Sequence, residues 1–215
     1  MSQKPLITAK GLSVHYALRG GLIGPAPFVR AVENVSLEIA PKSFFGLVGE
    51  SGSGKTTLGR AMLRAAPISK GDVEYDDGEV AYLLKDLGKK DQKEYRKRAQ
   101  LIFQDPYAAL SPRMTVRDII AEPLEVMGLT KSRAETDERV REIAAKCRLN
   151  VEHLRRFPHA FSGGQRQRIS IARALVSAPK FIVADESVAA LDVSIQADVL
   201  NLLKSNLANE SSSEK

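Results

Sequence analysis

The chain has 215 residues, of which 43% are hydrophobic and 27% are charged, and its formal net charge is +6. These values fit one globular domain and leave little room for two independent folds. No apolar run approaches membrane-spanning length, residues 1–5 lack the build of a secretion signal, and the single Cys147 excludes an internal disulfide. We therefore expect a protein of the reducing cytoplasm.

Two segments near the N-terminus have the two-residue hydrophobic period of half-buried strands. The alternating apolar residues are Leu12, Val14 and Tyr16 in the first segment and Val35, Leu37 and Ile39 in the second. Between them, residues 20–27 are rich in Gly and Pro, which predicts a loop. Residues 71–80, with Asp76, Asp77 and Gly78 as the turn, predict a hairpin. The sequence therefore predicts an antiparallel sheet in this region.

Residues 44–48 form an apolar run that predicts a buried strand, and residues 57–63 predict a helix. Residues 49–56 between them read GESGSGKT and match the phosphate-loop pattern G-x-x-x-x-G-K-[ST]. Glycines let main-chain N–H groups approach phosphate oxygens, Lys55 supplies a positive charge, and the Thr56 hydroxyl would bind Mg²⁺. The alternative is a Gly/Ser turn before an ordinary surface lysine. We favour nucleoside triphosphate binding by Gly49, Ser51, Gly52, Ser53, Gly54, Lys55, Thr56 and Thr57.

The densest basic stretch spans residues 89–98 and is interrupted by Asp91 and Glu94. Interspersed charges of both signs are typical of a solvated surface, which we favour over a nucleic-acid site. We therefore expect no nucleic-acid partner.

The pattern becomes helical from Thr115 onward. Residues 132–135 have the form of a capping box, and Val140, Ile143 and Cys147 follow on one helical face. This places Cys147 in the core, as a buried thiol and not as a nucleophile. Residues 106–165 are predicted to form a helical subdomain, after which the chain returns to alternating helix and strand.

Residues 181–184 are four consecutive apolar residues followed by Asp185 and Glu186, which places two carboxylates at the end of a buried strand. In a phosphate-loop fold, ligands bind at the carboxyl ends of the strands. Asp185 would then hold Mg²⁺, while Glu186 would deprotonate the water that attacks the γ-phosphate. The alternative is that both acids only cap the next helix.

Residues 161–168, FSGGQRQR, resemble the signature of the ATP-binding cassette (ABC) superfamily. This resemblance implies a second anion-binding helix end, formed by Ser162, Gly163, Gly164 and Gln165. It also implies a head-to-tail dimer in which each of two ATP molecules lies between the phosphate loop of one subunit and the signature of the other. A glycine-rich helix start without such a partner is the alternative.

Other segments match the same family residue by residue. Residues 102–106 resemble its Q-loop, so that Gln104 would contact Mg²⁺ and the attacking water. Residues 189–192 resemble its D-loop, with Asp192 at the dimer interface. Tyr16 is the candidate for the aromatic residue that stacks on adenine, although packing in the core is a competing interpretation.

Residues 102–114 and 191–197 resemble, more narrowly, the ATPase subunits of dipeptide and oligopeptide importers. The fold class implied is α/β, a P-loop NTPase core with a mostly parallel sheet, an N-terminal antiparallel β-subdomain and an inserted α-helical subdomain. The whole chain would be one nucleotide-binding domain, with residues 1–105 and 166–204 as the core, 106–165 as the helical subdomain and 205–215 as a disordered tail.

The implied cofactors are ATP and Mg²⁺. The implied partners are a second ATPase subunit, identical or different, transmembrane permease subunits and an extracytoplasmic solute-binding protein. The chain itself would attach peripherally to the inner face of the membrane.

One family feature has no counterpart in the sequence. Family members carry a later strand that ends in a histidine contacting the γ-phosphate, whereas His15, His153 and His159 all precede Asp185. The sequence therefore predicts a C-terminally truncated cassette that binds Mg-ATP weakly and hydrolyses it slowly. The alternative explanation is that a separate element supplies the missing strand and histidine. The alternative functions are a hydrolysis-deficient nucleotide-binding fragment, and a soluble ABC ATPase of DNA repair or translation.

Overall fold

The computed structural model describes residues 4–18, 27–103, 105 and 110–185. The chain divides into two compact units, residues 1–96 and residues 97–215. Of the sequence predictions, those for Gln104, Glu186, Asp192 and the tail lie outside the described residues.

The first unit is built on a four-stranded antiparallel sheet in the order β2-β1-β3-β4. Its strands are β1 (Ile7–Ala17), β2 (Phe28–Ile39), β3 (Lys70–Asp76) and β4 (Ala81–Leu83). Ile7 lies opposite Ile39 on one side and Tyr75 on the other, so β1 is central. Leu12 and Val14 of β1 are buried, and the predicted antiparallel sheet is confirmed.

The hairpin between β3 and β4 also forms as predicted. Asp76 lies opposite Ala81, and the Asp77 carboxylate accepts hydrogen bonds from the main-chain N–H groups of Glu79 and Val80 at 3.0 and 2.9 Å. An aspartate that bonds the main chain just ahead of it is a standard way to close a turn.

The described part of the first unit contains two α-helices, α1 (Lys55–Met62) and α2 (Lys89–Arg98), and the last two residues of α2 lie beyond the boundary between the units. Tyr95 is the buried residue of α2, and its hydroxyl donates to the Met62 carbonyl at 2.6 Å. Its ring also contacts Tyr75 and Tyr82, edge to face. Burial raises the pKa of Tyr95 well above its usual range, so this anchor stays neutral.

The predicted strand at residues 44–48 does not form. These residues belong to no strand in the described part of the chain, and Val48 is 95% exposed. A strand requires a hydrogen-bonded neighbour, and the four described strands of this sheet pair only with one another. An apolar run alone therefore does not decide the secondary structure.

The second unit contains two parallel strands, β5 (Ala99–Ile102) and β6 (Phe181–Ala184). Its described helices are α3 (Val116–Met127), α4 (Arg133–Lys146) and α5 (Gly163–Leu175), with short 3-10 turns at Val151–His153 and Pro158–Ala160. The three helices share one apolar core with the buried end of β5.

The helix boundaries of the second unit follow the capping residues. Thr115 caps α3 by accepting from the Asp118 N–H, and Gly128 ends that helix in the left-handed conformation. Ser132 caps α4, as predicted. Cys147 is buried at the end of α4, which confirms its predicted core position, and burial raises the pKa of its thiol to about 12.

Candidate functional site

The phosphate-loop pattern lies in a tight turn directly before α1. Residues 51–54 form the turn, the Ser53 N–H donates to the Glu50 carbonyl at 3.2 Å, and α1 begins at Lys55. The first N–H groups of any helix have no partner within the helix. At α1 the N-cap is Gly54, and no side chain supplies a cap bond. The helix start is thus open to an anionic ligand, which the helix dipole favours.

Gly54 is required by its surroundings. Its φ is +93°, in the left-handed region, and a Cβ at this position would lie 2.2 Å from the Ala31 carbonyl oxygen of β2. No other residue fits such a close approach of two main chains. The last glycine of the loop therefore seats the start of α1 against β2.

Lys55 is folded back over its own loop. Its ammonium donates to the carbonyls of Gly49 at 2.8 Å and Glu50 at 2.7 Å. Both partners are neutral main-chain oxygens on a solvent-exposed turn. Phosphate oxygens are stronger acceptors for an ammonium than neutral carbonyls, so this arrangement fits a polyphosphate that would take their place.

A second glycine-rich helix start lies at α5, in the other unit. Ser162 is its N-cap: the Gln165 N–H donates to the Ser162 hydroxyl at 3.3 Å, and the Ser162 N–H donates to the Gln165 side-chain oxygen at 3.0 Å. The two bonds form a complete capping box. Because the Ser162 hydroxyl accepts the cap bond, its own hydrogen remains available to donate to an anion.

Arg166 holds the turn before α5. Its guanidinium donates to the carbonyls of Phe161 at 2.9 Å and His159 at 3.3 Å. The motif pattern assigns no role to Arg166, and it assigns Gln165 to the nucleotide, whereas the Gln165 side chain caps its own helix. The S-x-x-Q spacing of the capping box is visible in the sequence and could have revealed the second point. The bonds of Arg166 leave no comparable sequence signal.

Asp185 and Tyr16 occupy strand ends. Asp185 directly follows β6, and its N–H donates to the Ile102 carbonyl at 3.1 Å, which extends the parallel ladder. Tyr16 lies near the end of β1 and is 39% exposed, whereas Leu12 and Val14 on the same strand are fully buried. A register shift between Val14 and His15 separates Tyr16 from that buried run.

Within the described residues, no three His, Cys, Asp or Glu side chains cluster as a metal site. The donors that the sequence nominates, the Thr56 hydroxyl and the Asp185 carboxylate, are nevertheless hard oxygen ligands of the type that Mg²⁺ prefers. None of the helices in the described part of the chain combines the length and apolar character needed to cross a bilayer.

An uncapped phosphate-loop turn before α1 and a glycine-rich capped helix start are the features expected of a phosphate-loop protein. The profile of the ABC transporter family matches residues 32–189. The chain therefore belongs to the ABC transporter family.

Among curated relatives, the oligopeptide transport ATP-binding protein OppF of Streptococcus mutans is 51% identical over 203 residues, which cover 94% of this chain and 63% of that protein. The dipeptide transport ATP-binding protein DppF of Lactococcus lactis is 53% identical over 183 residues, 84% of this chain and 57% of that protein. The chain thus spans about 60% of the length of these relatives.

Among solved structures, the ATP-binding cassette MJ0796 in a dimeric post-hydrolysis state bound to ADP and Pi has a TM-score of 0.81 and 28% identity. The match covers 95% of this chain and 84% of that one. The fold class predicted from the sequence, a P-loop NTPase cassette, is confirmed by this likeness.

Proposed function

We propose that the chain is the ATP-binding and ATP-hydrolysing part of an ABC importer for peptides or related small solutes. The observation that carries the proposal is the open, uncapped start of α1, with Lys55 held by main-chain carbonyls within its loop. The names of the peptide-transport relatives support the substrate class.

In this proposal the main-chain N–H groups of residues 49–57 and the Lys55 ammonium hold the β- and γ-phosphates. On binding, the Lys55 ammonium exchanges its two carbonyl acceptors for phosphate oxygens, so it has hydrogen-bond partners both before and after binding. Tyr16, partly exposed near the end of β1, supplies a ring face for the adenine.

The hydrolytic roles are assigned from the motifs. Glu186 acts as the general base toward the attacking water, and Gln104 orients that water. Thr56, Asp185 and Gln104 provide oxygen ligands for Mg²⁺, which neutralises charge on the phosphates when bound.

The signature end of α5 is proposed to act on ATP held by another subunit. Ser162, Gly163 and Gly164 present a hydroxyl and main-chain N–H groups, while Gln165 and Arg166 fix the turn. Asp192 is proposed at the same dimer interface. The likeness to MJ0796, which forms a dimer bound to ADP and Pi, supports this assembly.

The remaining assignments are also proposals. Residues 1–105 and 166–204 form the nucleotide-binding core, and residues 106–165 form the helical subdomain that transmits closure to permease subunits on the inner face of the membrane. An extracytoplasmic binding protein would deliver the solute.

The head-to-tail arrangement can be tested by mixing two defective variants. Lys55→Ala removes the phosphate-loop charge, and Gly163→Asp places a carboxylate where the partner's γ-phosphate would lie, at a helix end that tolerates negative charge. We expect neither variant to dimerise with Mg-ATP alone in analytical ultracentrifugation. An equimolar mixture should dimerise, because each mixed pair contains one intact loop facing one intact signature.

Dimerisation of either variant alone would contradict the proposal, and so would a mixture that stays monomeric while the wild-type chain dimerises. Thermal unfolding of each variant is the control for folding.

A further inference from the structure

Helix α2 has a markedly uneven distribution of charge around its axis. At about 100° per residue, four exposed basic side chains fall within an arc of roughly 120°. We call the exposed residues of this arc the basic face; they are Lys89, Lys90, Lys93 and Arg96, and the half-buried Lys97 on the same arc is not counted among them.

The acidic residues of α2 do not interrupt this arc. Asp91 and Glu94 fall outside it, on the flank that leads toward Tyr95. In the linear sequence these two acids argue for a mixed, solvated surface, but on the folded helix they leave the basic face with one sign of charge. The structure therefore changes the interpretation of the basic stretch.

The buried side of α2, opposite the basic face, fixes the orientation of the helix. Tyr95, the buried residue of α2, packs against Tyr75 and Tyr82 and donates to the Met62 carbonyl. Within the described residues, no ion pair uses any of the three lysines of the basic face. The helix thus presents three lysine charges that no described neighbour neutralises.

We infer that the basic face is a docking surface for an anionic phospholipid bilayer. Three of its four residues are lysines, whose ammonium groups act as compact point charges suited to a diffuse layer of headgroups. Each Lys or Arg near such a surface contributes an attraction of about fivefold in affinity at low salt.

Two features narrow the mode of binding. Tyr95 is the aromatic residue of α2 and is buried, so the helix offers no ring on which a base of single-stranded nucleic acid could stack. The basic face also carries no apolar side chain that could enter the acyl region. Binding is therefore electrostatic and reversible by salt.

The inference does not use the phosphate loop, and its test is independent of nucleotide. Co-sedimentation compares vesicles of equal parts phosphatidylglycerol and phosphatidylcholine with vesicles of phosphatidylcholine alone. We expect the chain to bind only the anionic vesicles, and to be released at about 1 M salt, where the screening length is about 3 Å.

Two triple variants distinguish an effect of the basic face from an effect of the net charge. Lys89→Gln, Lys90→Gln and Lys93→Gln combined should weaken vesicle binding on the order of 100-fold. The matched control combines Arg133→Gln, Arg141→Gln and Lys146→Gln, three exposed cations on α4, where acidic residues are interspersed. It removes the same charge and should weaken binding by less than about tenfold.

Three results would overturn the inference: no binding of the wild-type chain to anionic vesicles, equal loss in both triple variants, or displacement from vesicles by double-stranded DNA at lower phosphate concentration. Retained ATP binding with lost vesicle affinity in the α2 variant would support it. ATP binding that fails in the wild-type chain would instead contradict only the proposed function.

Discussion

Two glycine-rich helix starts in the described part of the chain differ in how they are capped. At α1 the N-cap is Gly54, no side chain caps the helix, and Lys55 bonds to carbonyls of its own loop. At α5 the capping box of Ser162 and Gln165 is complete, and Arg166 secures the turn before it. The first start has no side-chain cap, which suits an anionic ligand, whereas the second is capped by its own side chains.

Gly54→Ala should have the largest effect on stability and on ATP binding, because it disrupts the uncapped start of α1. The new Cβ would lie 2.2 Å from the Ala31 carbonyl oxygen at a φ of +93°. We expect a loss of about 3 kcal/mol in the free energy of unfolding and no detectable ATP binding. Chemical denaturation and calorimetry measure the two effects.

The matched control is Gly78→Ala in the β3–β4 turn. Its φ is +85°, but no atom lies within 4 Å of the added Cβ. It should cost about 1 kcal/mol and leave ATP binding unchanged. Equal effects of both substitutions would show that the close approach to β2 does not matter.

Substitutions at Ser162 test the capped start, with an intermediate effect. Ser162→Ala removes the cap acceptor and should lower stability by about 1 kcal/mol, whereas Ser162→Asp keeps an equally good cap. Ser162→Asp nevertheless places a carboxylate toward the γ-phosphate. We expect it to keep the wild-type melting temperature and to lose Mg-ATP-dependent dimerisation in ultracentrifugation.

If dimerisation instead followed stability across the two Ser162 variants, the capped start would be a structural feature only. Only the start of α1 would then have a ligand-binding role.

A third helix start, α3, provides a reference with a side-chain cap and no proposed ligand. The Thr115 hydroxyl donates to the Asp118 carboxylate at 2.6 Å, and Arg117 donates to it at 3.2 Å. The Thr115 bond, followed by Arg117, lowers the pKa of Asp118 below its usual range. The ionised carboxylate therefore stabilises the fold above the ordinary pKa of about 3.9, and this stabilisation disappears as the pH falls through the lowered value.

Asp118→Asn should have the smallest effect. The Asp118 side chain is 47% exposed, so we expect a loss of no more than about 0.5 kcal/mol at pH 7. The difference in melting temperature from wild type should shrink as the pH falls through the lowered pKa of Asp118. A difference that stays constant as the pH falls would show that the amide disturbs packing and not charge; Glu138→Gln, on exposed α4 surface, is the control.

Features set by local sequence were predictable. The alternation in β1 and β2, the Asp77 turn and the caps at Ser132 and Ser162 depend on neighbours within a few residues. The phosphate loop was likewise predictable from its spacing, and the signature helix start from its resemblance to the family motif, although the internal role of Gln165 was not recognised.

Features that depend on contacts between residues far apart in the sequence were not predictable. The run at residues 44–48 has strand composition but no described strand beside it, and the need for Gly54 comes from Ala31 on another strand. The basic face of α2 emerged only when Tyr95 fixed which side of the helix is buried.

Isothermal titration calorimetry with ATP, on the wild-type chain and on Lys55→Ala, tests the central claim most directly. We predict saturable binding to the wild-type chain, a loss of about 100-fold or more in Lys55→Ala, and no change in Lys131→Ala, an exposed lysine elsewhere. AMP, which lacks the β- and γ-phosphates, should bind both chains equally weakly. Equal ATP affinity in the wild-type chain and Lys55→Ala would contradict the claim that the open start of α1 binds the polyphosphate.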